Sequence, residues 1–121
     1  MINRVDVVSI PVSDQDRAKA FYRDKLGFVE LSDTRIGDGM RWVQLSPPGS
    51  AASVTLVTWF ESMPPGSLRG LVLNTPTLDI DVEELKRKDV ETSSIQEQPW
   101  ARFVTFTDPD GNGLILQQRD H

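Results

Sequence analysis

The residues that could carry out chemistry in this chain of 121 residues are limited in kind. The chain has no cysteine, and its single histidine, His121, is the last residue. Without a thiol or an interior imidazole, the chain can form neither a Ser–His nor a Cys–His nucleophile pair. Acid–base catalysis would therefore fall to a carboxylate, to a lysine or to Tyr22, the single tyrosine.

A structural role explains these acid–base candidates better than a catalytic one. Tyr22 falls on the apolar face of a predicted helix, which favours a core aromatic with its hydroxyl near the surface. Asp108 and Asp110 belong to the run Asp-Pro-Asp-Gly-Asn, whose residue types suit a tight turn. The remaining carboxylates considered as general bases, which we expect to be solvated, are Glu30, Glu61 and Glu97.

Non-covalent binding is the chemistry that the sequence favours more. Three tryptophans accompany the one tyrosine, and large flat rings supply much of the contact energy in ligand sites and attract cations. Trp42 and Trp59 are expected either to line a pocket or to pack on a sheet or a second subunit. Trp100 follows a Gln-Pro pair just before a predicted strand, so we expect it to anchor a loop or to form a rim or lid.

The element that positions these residues spans residues 5–28. Residues 5–12 are rich in β-branched side chains, which favour a strand. Apolar residues then recur at helical spacing, with Ser13 or Asp14 as the expected cap of the helix. Gly27 supplies the left-handed residue that commonly ends a helix.

The same pattern recurs in residues 68–90. A second strand is followed by a helix with Thr77 or Asp79 as the expected cap, and basic residues fill its last turn. The end of the first helix at Leu26 and the end of the second at Lys88 are 62 residues apart, about half the chain. An internal duplication explains this spacing.

The remaining predicted strands complete two equal halves of one domain, residues 1–121. Each half is predicted to run strand, helix, strand, strand, strand, as module one (1–62) and module two (66–121), and the Pro-rich run 63–66 joins them. The further strands are predicted at residues 28–32, 40–46, 53–60, 91–95, 102–107 and 113–118.

Period-two alternation separates two faces of these strands. Apolar members such as Val43 and Leu45 should pack under the helices. The opposite face mixes aromatic, amide and hydroxyl side chains, as a ligand pocket requires. The side chains predicted to face the pocket are Val7, Ser9, Trp42, Gln44, Thr55, Val57, Trp59, Asn74, Phe103, Thr105, Ile115 and Gln117, with Trp100 at its rim.

Composition excludes several classes of partner. The 13 Lys and Arg residues against 18 Asp and Glu give a formal net charge of −5, which argues against nucleic acid because a phosphate backbone needs a basic face. Acidity would suit a cationic small molecule, although most acidic proteins carry such charge only for solubility. No apolar run approaches the ~20 residues that span a bilayer, and the first residues lack the apolar core of a signal peptide, so we expect a cytoplasmic protein without a membrane partner.

Two motifs and the repeat resemble a known superfamily. The runs IPVSDQDRAKAFYRDKLGF and PWARFVTFTDPDGNGLILQQ, together with the strand–helix–three-strand repeat, resemble the vicinal oxygen chelate superfamily of glyoxalases, bleomycin-resistance proteins and extradiol dioxygenases. The resemblance covers nearly the whole chain. It implies an α+β fold in which two βαβββ modules form a curled mixed sheet around a cavity. A second subunit often completes that cavity, so a homodimer is expected.

Enzymes of that superfamily hold a divalent metal with His and Glu side chains from the first and last strands of the modules. The resemblance places none of the usual ligands there, and a shift of one residue would turn each side chain to the helix face. We therefore expect no cofactor and no metal. The four residues at the implied ligand positions are Val7, Thr55, Gly70 and Ile115.

These observations lead to one leading hypothesis and two alternatives. The leading hypothesis is a metal-free protein that binds a small organic ligand without consuming it, for example by sequestering an antibiotic as bleomycin-resistance proteins do. The first alternative is a metal-dependent lyase, isomerase or dioxygenase of glyoxalase type, with ligands from elsewhere in the chain or from another chain. The second is a metal-independent enzyme or a pathway auxiliary that uses the cavity.

Overall fold

Two four-stranded sheets, each with one helix, make up the computed structural model, which describes residues 1–119. His121 therefore lies outside the described residues. The first module contains β1 Val7–Pro11, α1 Gln15–Ala20 with a wider π-helical turn at Phe21–Lys25, β2 Val29–Arg35, β3 Arg41–Ser46 and β4 Ser53–Val57. The second module contains β5 Leu71–Asn74, α2 Leu78–Arg87, β6 Gln96–Gln98, β7 Ala101–Thr107 and β8 Gly113–Arg119.

The two modules share one strand topology. The strand order is β1-β4-β3-β2 in the first sheet and β5-β8-β7-β6 in the second. In both, the strand before the helix pairs in parallel with the last strand, and the other pairs are antiparallel. The predicted α+β class with two βαβββ modules is confirmed. The two sheets are separate, however, and within the described chain they do not close around a cavity as one curled sheet.

Matching helix ends support the duplication. Asp14 caps α1 by accepting a hydrogen bond from the Arg17 amide at 3.1 Å. Gly27 adopts a φ of +77° just after the first helix, and Asp89 adopts a φ of +62° just after the second. A left-handed conformation is uncommon for a residue with a side chain. Its presence just after both helices therefore indicates that the two modules end their helices in the same way.

Several predicted strand boundaries were wrong. The weak strand at 91–95 is absent, and β6 forms at Gln96–Gln98 instead. Within residues 91–95, the hydroxyl of Thr92 donates to the Ser93 carbonyl and that of Ser93 to the Ser94 carbonyl. Such local bonds compete with the hydrogen bonds between strands. The fourth strand ends at Val57, and the second strand runs on to Arg35.

The buried core joins both modules into one cluster. Val43 and Leu45 are fully buried, as their strand phase predicted, and they belong to the same cluster as Leu78 and Leu114 of the second module. The core faces of both sheets thus pack under the helices. The opposite faces carry no helix, and they are the surfaces on which a site could form.

A buried polar junction holds the turn at residues 108–112 against the first module. Tyr22 is fully buried and its hydroxyl donates to Asp108 at 2.8 Å. Asn112, also fully buried, donates from Nδ2 to the Pro11 carbonyl at 2.8 Å and accepts from the Leu68 amide at 3.0 Å. The prediction that the Tyr22 hydroxyl lies near the surface was wrong, because the buried carboxylate of Asp108 gives it a partner inside the protein.

A half-buried ionic cluster lies on the helix side of the first sheet, and the sequence analysis did not predict it. Asp33 accepts two hydrogen bonds from Arg41, at 2.8 and 2.7 Å, and one from Lys19 at 2.7 Å. Lys19 also pairs with Glu30 at 2.6 Å. Hydrogen bonds from Arg41 and then from Lys19 hold the pKa of Asp33 well below its ordinary value.

The stability of the protein should depend on pH through this carboxylate. A lowered pKa in the folded state stabilises the protein above the ordinary aspartate pKa of about 4, and that contribution is lost as the pH falls below it. Asp33→Asn should lower the free energy of unfolding at pH 7 by about 1–2 kcal/mol, with the difference shrinking at low pH. Urea unfolding of both proteins at several pH values measures this.

Asp16→Asn is the matched control, since Asp16 binds Arg41 at 2.9 Å with a side chain 82% exposed. An exposed pair of this kind contributes roughly 0–1 kcal/mol. A constant difference between wild type and Asp33→Asn across the acid range would contradict the assignment.

Candidate functional site

The face of the first sheet that points away from α1 is called here the first face. Its members alternate with core residues along the strands and are related by the strand register. They are Val7, Ser9, Pro11, Val29, Ser32, Thr34, Trp42, Gln44, Ser46, Ser53, Thr55 and Val57. Six of the predicted pocket residues therefore share this face, and they all lie on neighbouring strands.

A row of polar side chains crosses the first face. Thr55 pairs with Ser9 of β1 on one side and with Gln44 of β3 on the other, and Gln44 pairs with Ser32 of β2. The row therefore contains three hydroxyls and one amide, all uncharged. Sequence analysis missed Ser32 because it ended the second strand there, and a bulge between Glu30 and Ser32 shifts the register.

Beside this row lies an aromatic pair. The rings of Trp42 and Trp59 are stacked, with centroids 6.3 Å apart and planes inclined by 26°. Trp42 donates from Nε1 to the Gln44 side chain at 2.9 Å, and Gln44 donates onward to Ser53 at 2.7 Å. Although Trp59 lies two residues beyond the end of β4, packing brings it to Trp42 and leaves both rings half-buried.

One buried hydroxyl in the polar row has no partner among the described residues. Thr55 is 1% exposed, and its Oγ1 makes no hydrogen bond with any described residue. A buried polar atom without a partner costs free energy, so native proteins contain few of them. Thr55 thus keeps a free hydroxyl on the first face, where the amide of Gln44 is already hydrogen-bonded.

The corresponding surface of the second sheet, called here the second face, is more open. Asn74 pairs with Gln117, Gln117 pairs with Phe103, and Phe103 pairs with Gln96, which gives a row rich in amides. Ile115 and Thr105 pair in the neighbouring row. Asn74, Gln96 and Thr105 are exposed, and Phe103, Ile115 and Gln117 are half-buried.

The structure places Trp100 apart from the strand residues of these faces. It lies in the tight turn between β6 and β7 and is 67% exposed. It stacks on none of the other aromatic rings in the described part of the chain. Its predicted role as a rim or lid stays a prediction.

A separate groove of about 670 Å³ lies between the modules on the helix side of the sheets. Core residues such as Leu73, Leu85 and Phe106 line it, and Lys25 and Glu84 are among its charged members. Of the residues predicted to face a pocket, only Asn74 reaches it. Strand phase could not reveal this groove, because it forms between elements distant in sequence.

The side chains at the metal positions implied by the superfamily do not suit a divalent ion. Val7 and Ile115 are hydrocarbons, Thr55 offers one neutral hydroxyl, and Gly70 has no side chain and precedes β5 instead of lying in it. Divalent metals in proteins prefer imidazole, thiolate or carboxylate ligands. Within residues 1–119, no three His, Cys, Asp or Glu side chains come together as such a set.

Comparison with known proteins gives the family. The sequence model of the Glyoxalase/Bleomycin resistance protein/Dioxygenase superfamily matches residues 4–116. The chain is 30% identical to the Bacillus subtilis protein YetH, over 98% of this chain and 100% of that protein. The chain therefore belongs to the Glyoxalase/Bleomycin resistance protein/Dioxygenase superfamily, as the resemblance implied.

Two solved structures are similar over nearly their full lengths. TnmS3, an antibiotic binding protein from Streptomyces sp. CB03234, is 44% identical with a TM-score of 0.94, and the match covers 98% of each chain. A member of the superfamily from Sphaerobacter thermophilus is 34% identical with a TM-score of 0.90, again over 98% of each chain. Neither described helix of the present protein is long and apolar enough to cross a bilayer.

Proposed function

We propose that this protein binds a flat organic ligand, such as an antibiotic, and holds it without a metal and without chemical turnover. The observation that carries this proposal is the stacked Trp42–Trp59 pair beside the uncharged polar row of the first face. Aromatic rings supply large contact areas, and neighbouring hydroxyls and amides can orient a bound molecule. Antibiotic binding by the similar protein TnmS3 supports the same assignment.

The state of the acid–base candidates also supports binding over catalysis. Burial, followed by the charge and hydrogen bond of Asp108, raises the pKa of Tyr22, so this phenol stays protonated and cannot serve as a base. Asp108 already accepts four hydrogen bonds inside the junction. The proton of Tyr22 and the carboxylate oxygens of Asp108 are thus already used inside the junction.

The proposal includes a cytoplasmic homodimer. Among the described strands, β1 and β5 each pair with a neighbouring strand on one side only, and residues of both, Val8 and Leu73 among them, line the groove between the modules. Unpaired strand edges beside an apolar groove favour association with another chain. A second copy seated there would bury these edges, and light scattering at micromolar concentration should report twice the chain mass.

Binding is tested with tryptophan variants. A panel of antibiotics, bleomycin included, is screened by quenching of tryptophan fluorescence, and the ligand that binds is titrated calorimetrically. Trp59→Ala should weaken its affinity by about tenfold or more, because the variant loses a stacking surface. Ile80→Ala is the control, since that side chain is exposed on α2, away from both faces, and its affinity should equal that of wild type.

Recovery of the ligand by mass spectrometry completes the test. We expect it unchanged after incubation, with or without added zinc, nickel or manganese. Turnover that requires one of these ions would favour the glyoxalase-type enzyme instead. Equal affinities for wild type and Trp59→Ala would place the ligand elsewhere, with the groove between the modules as the next site to mutate.

A further inference from the structure

We infer that the ligand is electrically neutral, with polar groups along the edge of a flat ring system; this inference rests on the function proposed above. It comes from the distribution of charge over the sheets. The chain has 18 Asp and Glu residues, yet the described strands place none of them on the first or second face. Arg119, at the end of β8, is the one charged strand residue on either face.

The acidic residues of these strands all point to the helix side. Glu30 and Asp33 of β2 both pair with Lys19 of α1. In the second module, Glu97 of β6 pairs with Arg102 of β7. Arg102 in turn binds Asp79 of α2. Because side chains alternate along a strand, this orientation leaves the opposite face to hydroxyls, amides and apolar groups.

The polar groups that remain are suited to a neutral molecule. The free hydroxyl of Thr55 on the first face and the amide of Gln117 on the second face are uncharged, and each can both donate and accept hydrogen bonds. They cannot neutralise an ion. A charged ligand would give up its hydration on entering the first face, on which the strands place no counter-charge, and that loss is far larger than the loss for a neutral amide or carbonyl.

The net charge of the chain is a weaker guide to the ligand than the charge of its faces. A formal charge of −5 would suit a cationic ligand or serve only solubility. Net charge acts over distance and is screened by salt, whereas recognition occurs at the contact surface. The carboxylates lie elsewhere on the molecule. The charge of the whole chain therefore does not set the charge of its ligand.

A pair of flat tricyclic dyes of nearly equal size tests the inference. Acridone is neutral and carries one donor and one acceptor, whereas 9-aminoacridine is a cation at neutral pH. Fluorescence anisotropy gives both affinities at about 0.15 M salt, where long-range attraction is screened beyond about 8 Å. We expect acridone to bind roughly tenfold more tightly or better.

Two serines provide matched variants. Ser32 lies in the polar row of the first face, whereas Ser67 is exposed just after the run that joins the modules. Ser32→Asp should shift the preference toward 9-aminoacridine by about fivefold or more, because it adds a carboxylate to a face on which the strands place no charged residue. Ser67→Asp adds the same charge away from both faces and should leave the ratio of affinities unchanged.

Three results would overturn the inference. Equal or tighter binding of 9-aminoacridine by wild type would do so while leaving the proposed binding function intact. A shift by Ser67→Asp as large as that of Ser32→Asp would show that net charge, not the face, sets the preference. Failure of both dyes to bind would also overturn it, and the antibiotic panel would then decide the proposed function independently.

Discussion

Gly66→Ala is expected to destabilise the protein by about 3 kcal/mol or more, although glycine and alanine differ by one methyl group. Gly66 is buried between the modules, with a φ of +83°, and its amide donates to the Pro11 carbonyl at 3.2 Å. A Cβ at this position would overlap the carbonyl oxygen of Asp110. That oxygen belongs to the backbone of the junction turn, so it cannot rotate away as a side chain would.

Gly37→Ala separates the two causes of this loss. Gly37 has a φ of +71°, and no atom lies within 4 Å of the position its Cβ would occupy. The free energy of unfolding of Gly37→Ala should therefore fall only by the cost of placing an alanine in a left-handed conformation, about 1 kcal/mol. Urea unfolding of the three proteins measures both effects. Equal losses for Gly66→Ala and Gly37→Ala would show that the junction yields to the extra methyl group.

Asp108→Ala should be at least as damaging, with a loss of about 4 kcal/mol or more. The buried carboxylate of Asp108 accepts from the Tyr22 hydroxyl at 2.8 Å, from Nδ2 and the amide of Asn112 at 2.8 and 3.0 Å, and from the Asp110 amide at 2.9 Å. Removing it leaves donors in the core unpaired, and each costs about 1–3 kcal/mol. Against a total stability of about 5–15 kcal/mol, this loss should leave little folded protein at 37 °C.

Tyr22→Phe provides the graded comparison. It removes one donor to Asp108 but keeps the ring, which packs edge-on to Phe21 at 5.2 Å. We expect a loss of about 1.5 kcal/mol, the value of one hydrogen bond to a charged group. Thermal unfolding followed by circular dichroism ranks the variants. If Tyr22→Phe were as unstable as Asp108→Ala, the hydroxyl would dominate the junction and the four-bond account would fail.

Much of the fold followed from local patterns. The Val43 and Leu45 alternation placed β3 correctly, and Gly27 marked the end of the first helix. These signals depend on a residue and its near neighbours, so a sequence carries them in full. The wrong strand at 91–95 had no such alternation. The carbonyls of Ser93 and Ser94 accept from neighbouring hydroxyls, although the Ser93 amide still donates across to the Thr105 carbonyl of β7.

The candidate site was likewise predicted from local patterns only in part. Strand phase grouped Ser9, Gln44 and Thr55 on one face, and the register of three strands places them in one row. Phase could not predict the contact of Trp42 with Trp59, because the second ring follows the end of β4 and reaches the first by packing. It also gave no indication that the Thr55 hydroxyl would be buried without a partner.

By itself, the amino-acid sequence determined the superfamily, the two βαβββ modules and the polar and aromatic character of the helix-free faces. Only the tertiary structure decided that Tyr22 and Asp108 form a buried junction, that the acidic side chains of the strands turn toward the helices, and that a groove separates the modules. The reason is physical. Strand and helix periodicity are set by covalent geometry along the chain, whereas a hydrogen bond between residues 86 positions apart depends on how the finished elements pack.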